Sequence, residues 1–191
     1  MNQASIVKHM ITISNFYRSE ISENIFSSDN VRADFWNMVD TDQTTISDNE
    51  RKHFVVFACM YDSQTNQILI VFDKKINKWI FQGGHVDQGE TSRETMTREA
   101  KEELGIQIND NCGEKPFFIS VTNTTYSSGS CQKHLDIYYL VRLDPSSIRK
   151  IEPSEEELSE IKWVSLDEAL RLVKDDPSSQ GAVRKLKEIL V

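Results

Sequence analysis

The chain has 191 residues, 38% hydrophobic and 27% charged, which suits one ordinary domain with an appendage and is too apolar for a disordered chain or a coiled-coil rod. Its formal net charge of -8 counts against a generic nucleic-acid clamp, which would need a basic face. No stretch approaches the roughly 18 apolar residues of a membrane span and the N-terminus lacks a signal peptide's apolar core, so no membrane partner and a cytoplasmic location are expected.

Residues 4–21 place Ile6, Val7, Met10, Ile11, Ile13, Phe16, Tyr17 and Ile21 on a stripe of about 3.6-residue period, which predicts an amphipathic helix. Packing on its own domain is the simpler use of that stripe; a homodimer seam is the other. A second short helix is expected around Val31–Val39, followed by the polar, turn-rich linker Thr41–Glu50. Residues 1–50 thus read as a helical N-terminal extension and linker, and residues 51–191 as the main domain. There, Phe54–Tyr61 and Gln67–Phe72 predict two strands joined through the turn-forming run Asp62–Asn66. A short strand over Lys78–Phe81 leads into Gly83 and Gly84. Thr91–Leu104 predicts a helix, opened by the Thr91/Glu94 capping box and stopped by Gly105. Pro116–Asn123 and His134–Leu143 read as strands around the loop Thr124–Lys133, and Ile161–Val164 as a last short strand. Helices follow from a Ser165/Glu168 capping box to about Val173, and over Ser179–Leu190. This pattern predicts an α/β fold, a mixed sheet with helices packed on it.

Cys59, Cys112 and Cys131 are an odd set without C-x-x-C spacing, which indicates neither a disulfide framework nor a zinc site; Cys59, in an apolar run, reads as core. The acidity is more telling. Residues 84–106 carry six acids against three bases, and residues 152–160 hold five Glu and no base. On the helix Thr91–Leu104, Glu99, Glu102 and Glu103 stand at i, i+3 and i+4, so three carboxylates share one face. Their mutual repulsion weakens the helix unless a cation sits among them, and hard ions such as Mg²⁺ or Mn²⁺ prefer carboxylate oxygens. Taken alone, a solvated acidic face explains the cluster as simply. The neighbours argue otherwise: Gly83-Gly84 allows close backbone approach just before the helix, and Arg98 can hold a carboxylate in a fixed two-pronged geometry.

Written out, the segment is Gly84-x5-Glu90-x7-Arg98-Glu99-Ala100-x-Glu102-Glu103-x-Gly105-Ile106, which resembles the Nudix box of the Nudix hydrolase superfamily. All seven fixed positions match; Ala100 is smaller than the aliphatic residue the pattern asks for. The resemblance implies an α/β/α sandwich and hydrolysis of a nucleoside diphosphate linked to another moiety. It implies Glu99, Glu102, Glu103 and the Gly83 carbonyl as metal ligands, Mg²⁺ or Mn²⁺ as the cofactor, and an ion pair between Glu90 and Arg98 that supports the site. The water-activating base would be Glu102 or Glu103, or a carboxylate of an outside loop; Glu152, Glu155, Glu156 and Glu157 are candidates, with a solvated charge run as the blander account.

Beyond the box, Phe81–Asp87, His134-Leu135-Asp136 and Trp163–Glu168 look like a poorly characterised bacterial Nudix group, and the likeness covers about Phe54 to Val173. His85 and His134 could reach substrate or serve structural hydrogen bonds; Trp79 and Phe81 could stack on a base, although one of them is expected in the core. Lys74, Lys75 and Lys78 could meet phosphates or simply decorate a turn. Marks of particular substrates downstream of the box are missing, where Thr122 and Asn123 stand, although Pro116 and Tyr126 flank the region. The leading expectation is a metal-dependent pyrophosphohydrolase with a small nucleotide-type substrate. A nucleotide-binding sensor without turnover is the alternative. Isopentenyl diphosphate isomerase chemistry would need a catalytic Cys, and neither Cys59 nor Cys131 has a supporting local context.

Overall fold

The apolar runs in the middle of the chain become the strands of one mixed sheet: β1 (Lys52–Asp62), β2 (Gln67–Asp73), β3 (Lys78–Ile80), β4 (Gln82–His85), β5 (Gly113–Asn123), β6 (Lys133–Leu143) and β7 (Leu158–Val164). The computed structural model describes residues 13–49, 51–108, 113–124 and 131–190. Residues 4–12 of the predicted N-terminal helix, Glu50, Cys112 and residues 125–130, Tyr126 included, lie outside the described residues. In β1 every residue from His53 to Asp62 is buried, as its unbroken apolar run requires of a central strand. On one side β6 runs parallel to it for its whole length, from Lys52 beside Lys133 to Asp62 beside Leu143. On the other side β4 pairs with its first half and β2 with its last two residues, so the sheet forks. The β2 arm carries β3 and β7, and β5 closes the opposite edge against β6. The β1–β2 turn forms as predicted: Asp62 accepts from the Gln64 amide and the Thr65 hydroxyl, and Asn66 takes a positive φ of 56°.

Adjacent β6 residues face opposite layers, as the two-residue strand period demands. The Tyr139 hydroxyl meets Ser92 Oγ at 2.7 Å, at the start of helix α3 (Ser92–Leu104). The Tyr138 hydroxyl meets Ser178 Oγ at 2.8 Å in helix α6 (Pro177–Leu190), which packs along β5. Helix α5 (Leu166–Leu172) lies between α6 and β2. The result is the expected α/β/α sandwich. Both halves of the predicted α3 capping box form, and Gly105 ends the helix in the left-handed region, φ 67°.

Some elements go beyond the sequence reading. Residues 82–85 form β4, where no strand was expected past Phe81, because their backbone groups pair with β1 and such pairing needs no side-chain pattern. A short helix α4 (Pro145–Ile148) forms where none was expected, with Asp144 accepting from the Ser146 and Ser147 amides and Pro145 in its first turn.

The N-terminal extension is packed on the α3 side of the sheet. Residues 13–20 form helix α1, a 3₁₀ turn spans Glu23–Ile25, and α2 (Asp29–Asp40) is capped by Ser28. Tyr17, fully buried, stands edge-on to Phe35 and to Phe54 of β1, and Phe35 stacks flat on Phe54 at 4.8 Å between ring centres. Phe26 bridges to Ile119 of β5, Glu20 pairs with Arg93 of α3 at 2.6 Å, and Asp34 accepts from both Lys52 and Lys133. The polar run after α2 is turn-rich as predicted but not a free linker: Thr44 and Thr45 are buried, and the Thr44 carbonyl accepts from the Phe54 amide.

Candidate functional site

Strand β4 and helix α3 bring the box residues together. Alternation along β4 points Gly84 toward α3, and an added Cβ there would stand 2.1 Å from Glu99 Oε1. The glycine lets the Glu99 carboxylate lie against the strand. The Gly83 amide donates to Glu103 Oε2 at 3.3 Å, which places the Gly83 peptide at the same cluster. Ala100 is fully buried, so a small residue suits the close packing of α3 on the sheet.

Arg98 is the hub. Its Nε and Nη2 donate to the two oxygens of Glu90 at 2.8 and 3.0 Å, and its Nη1 to Glu99 at 2.7 Å and Glu102 at 3.1 Å. Nη2 also donates to the His85 carbonyl at 3.0 Å, tying the helix to β4. Burial works against the charged form of Glu90, but Arg98 and Thr95 outweigh it and hold this carboxyl below its usual range.

The other carboxylates move the opposite way. Glu103 is buried, and that burial, with repulsion from Glu99 and Glu157, pushes its pKa up to about 8. Burial raises Glu99 too, against the pull of Arg98. Four carboxyl groups, Glu90, Glu99, Glu102 and Glu103, thus gather near one arginine, and the two most buried, Glu99 and Glu103, hold their protons more tightly. Glu102 is 55% exposed and faces solvent.

Of the outside candidates, Glu157 acts on the cluster electrostatically, raising both Glu99 and Glu103. Its loop is fastened to the end of α3, where the Ser154 amide donates to the Glu103 carbonyl and the Glu152 amide to that of Leu104. Phe81 is core, edge-on to Tyr138, while Trp79 is half-buried against Phe72 with Lys162 over its ring. The Lys74 ammonium is taken by the Glu155 carbonyl. The Thr122 hydroxyl donates to the buried Asp136 at 2.6 Å.

His85 and His134 come together, but away from the carboxylates. Being next to Gly84, His85 points to the opposite face of β4, where it meets His53, His134 and Cys131. Burial, then the nearby charges of His53, Lys75 and Arg98, push His85 down to about 4; burial with His85 and His53 pushes His134 down to about 3. Sequence reasoning misses His53, since nothing local marks it inside the apolar run of β1. Its only signal is a register position, directly beside His134 in the parallel pairing.

The family model described as NUDIX domain matches residues 51–186. Nucleoside diphosphate-linked moiety X motif 6 of Xenopus laevis is 32% identical over 115 residues, 59% of this chain and 50% of that protein. Nudix hydrolase 3 of Arabidopsis thaliana is 28% identical over 134 residues, 66% of this chain and 17% of that protein. The chain thus spans half or less of these curated relatives. Among solved structures, a C. elegans Ap4A hydrolase binary complex superposes with a TM-score of 0.56 at 21% identity, covering 73% of this chain and 97% of that one, a likeness of fold. Among the described residues, no helix is long and apolar enough to cross a membrane. The family match runs from β1 through the α3 carboxylates into α6, and the chain belongs to the NUDIX domain family.

Proposed function

We propose that the chain is a divalent-metal-dependent pyrophosphohydrolase that cleaves a nucleoside diphosphate linked to another moiety, a nucleoside triphosphate, nucleotide sugar or related small molecule. The observation that carries this reading is geometric: the Glu99 carboxylate lies in the space that Gly84 leaves open, and the buried Glu103 carboxyl accepts from the Gly83 amide beside it. Such crowding of carboxyl oxygens fits a hard divalent cation. Glu99, Glu102, Glu103 and the Gly83 carbonyl would hold Mg²⁺ or Mn²⁺. Bound there, the ion supplies charge neutralisation of the pyrophosphate, polarisation of a P–O bond and a more acidic bound water.

The chain's own residues do the rest. Arg98 aims Glu99 and Glu102, and Glu90 holds Arg98 in the plane that lets it do so. Glu102, open to solvent, would accept a proton from an attacking water, with Glu157 of the outside loop as the other carboxylate for that role. Residues 13–49 belong to the same folded unit, with the apolar face of this part of the extension used on the sheet of its own chain, supported by the Tyr17–Phe35–Phe54 packing.

The test is phosphate release, coupled through a phosphatase, across dNTPs, nucleotide sugars, ADP-ribose, NADH and dinucleoside polyphosphates with Mg²⁺ or Mn²⁺. At least one class should turn over, and Glu103→Gln should abolish that turnover while keeping the circular dichroism of the folded chain. Silence of every class with both ions would replace this reading with nucleotide binding without turnover.

A further inference from the structure

Four side chains outside the box converge on one point. The ligand atoms of His53, His85, Cys131 and His134 all lie within 4.8 Å of one another. Cys131 Sγ is 2.8 Å from His134 Nε2 and 3.4 Å from His53 Nε2, and His85 Nε2 is 3.3 Å from His134 Nε2. With metal–nitrogen bonds of about 2.0–2.1 Å and metal–sulfur bonds of about 2.3 Å, the edges of a tetrahedral shell come to roughly 3.3–3.6 Å. The observed separations straddle that range, so closing the shell needs shifts of side-chain size only.

The orientation of His53 is already set. Its Nδ1 lies 2.9 Å from the Asn49 carbonyl, which can only accept, so Nδ1 carries the proton and Nε2 turns its lone pair toward the cluster. A backbone carbonyl fixing the far nitrogen in this way is the usual support of a metal-binding histidine. His53 is fully buried and the other three are half-buried, so the point is withdrawn from solvent without being sealed.

We propose that His53, His85, Cys131 and His134 form a second cation site, distinct from the box carboxylates, that takes one zinc ion in a closed shell of three imidazole nitrogens and one thiolate. The donor set selects the ion: imidazole and thiolate suit zinc, whereas Mg²⁺ prefers the oxygens on the other face of β4. The thiol proton leaves to solvent as the ion binds. Four protein ligands leave no open position, which makes the site structural. It clasps β1, β4 and the approach to β6 at the strand that presents Gly83 and Gly84, with the His85 carbonyl passing the constraint to Arg98.

The test uses the full-length chain, stripped with a chelator under reducing conditions and titrated with Co²⁺, then Zn²⁺. One equivalent of Co²⁺ should give the intense visible bands of a tetrahedral ion and a thiolate-to-cobalt charge-transfer band, and Zn²⁺ should displace it and raise the melting temperature. Cys131→Ser should lose the charge-transfer band and at least about tenfold in affinity. Glu103→Gln should keep both spectrum and stoichiometry, which separates this site from the proposed hydrolytic one. An octahedral Co²⁺ spectrum, a Cys131→Ser spectrum equal to that of the parent, or loss of the tetrahedral signal in Glu103→Gln would each overturn the proposal. Should Cys131→Ser fail to fold, His134→Gln and the zinc-dependent melting shift of the unmodified chain carry the same decision.

Discussion

Gly84 of β4 faces Glu99 of α3 so closely that a side chain on the glycine and the glutamate carboxylate would claim the same space, with only 2.1 Å between an added Cβ and Oε1. Its neighbour Gly83 is constrained by something harder: a Cβ there would stand 1.9 Å from the Val56 backbone oxygen. The two glycines should therefore fail differently. Gly84→Ala should fold with a melting temperature near that of the parent, because the end of a flexible side chain can move. Displacing Glu99 by about 1 Å should lower turnover by up to about a hundredfold. Gly83→Ala should instead lose stability, by about 1–3 kcal/mol or more, since the backbone must shift. Thermal melts and steady-state rates on both variants check this, and full activity in Gly84→Ala would remove Glu99 from the site.

Arg98 spreads its donors over Glu90, Glu99, Glu102 and the His85 carbonyl, a pattern that only a planar fork can serve. Lysine keeps the charge and loses the fork. Hydrogen bonds to charged groups contribute about 1.5–3 kcal/mol each, so losing one that orients the carboxylates should lower kcat by about tenfold to a hundredfold. Arg98→Lys with unchanged kcat would show that charge alone suffices.

The extension supplies core, not decoration. Tyr17 is fully buried on the rings of Phe35 and Phe54, so Tyr17→Ala should cost about 3–5 kcal/mol in denaturant unfolding. A chain beginning at Arg51 would bare the Phe54 face of β1 and should be insoluble or far less stable. If that chain stayed soluble, active and equally stable, the extension would be separable.

Asp34 gives the fold an acid-sensitive tie. Burial alone would raise its pKa, but hydrogen bonds from Lys133 and Lys52, both at 2.9 Å, outweigh that and lower it. The folded-state value lies below the unfolded one, so the contribution is present above the unfolded pKa of about 3.9 and is lost as pH falls through the folded value. With Asp34 37% exposed, solvent screening limits the effect to about 0.5–1 kcal/mol. Asp34→Asn should melt about 1–4 °C lower at pH 7, with the gap shrinking as pH falls below about 3.9 toward the folded value. A gap that does not shrink at all below about pH 3.9 would mean that the lysine pairs are not its source.

Local spacing alone encodes a good part of this protein. The limits of α3 follow from Thr91, Glu94 and Gly105, whose effects reach only one helical turn, and the shared face of Glu99, Glu102 and Glu103 follows from the helical period. The described part of the N-terminal stripe, from Ile13 to Ile21, is legible for the same reason, though not where it packs. Strand β4 is not legible, because Gly83 and Gly84 hydrogen-bond through backbone and show no alternation. Nor can spacing tell which carboxylate of the acidic run acts electrostatically on Glu99 and Glu103, since that depends on how the loop is fastened to α3. The imidazole–thiol cluster is hidden most deeply: Cys131 and His134 are neighbours in sequence, but His53 and His85 reach them only because β1 pairs with both β6 and β4. Helical periodicity brings residues together within a few positions, whereas sheet register joins distant strands, and only the folded sheet decides that register.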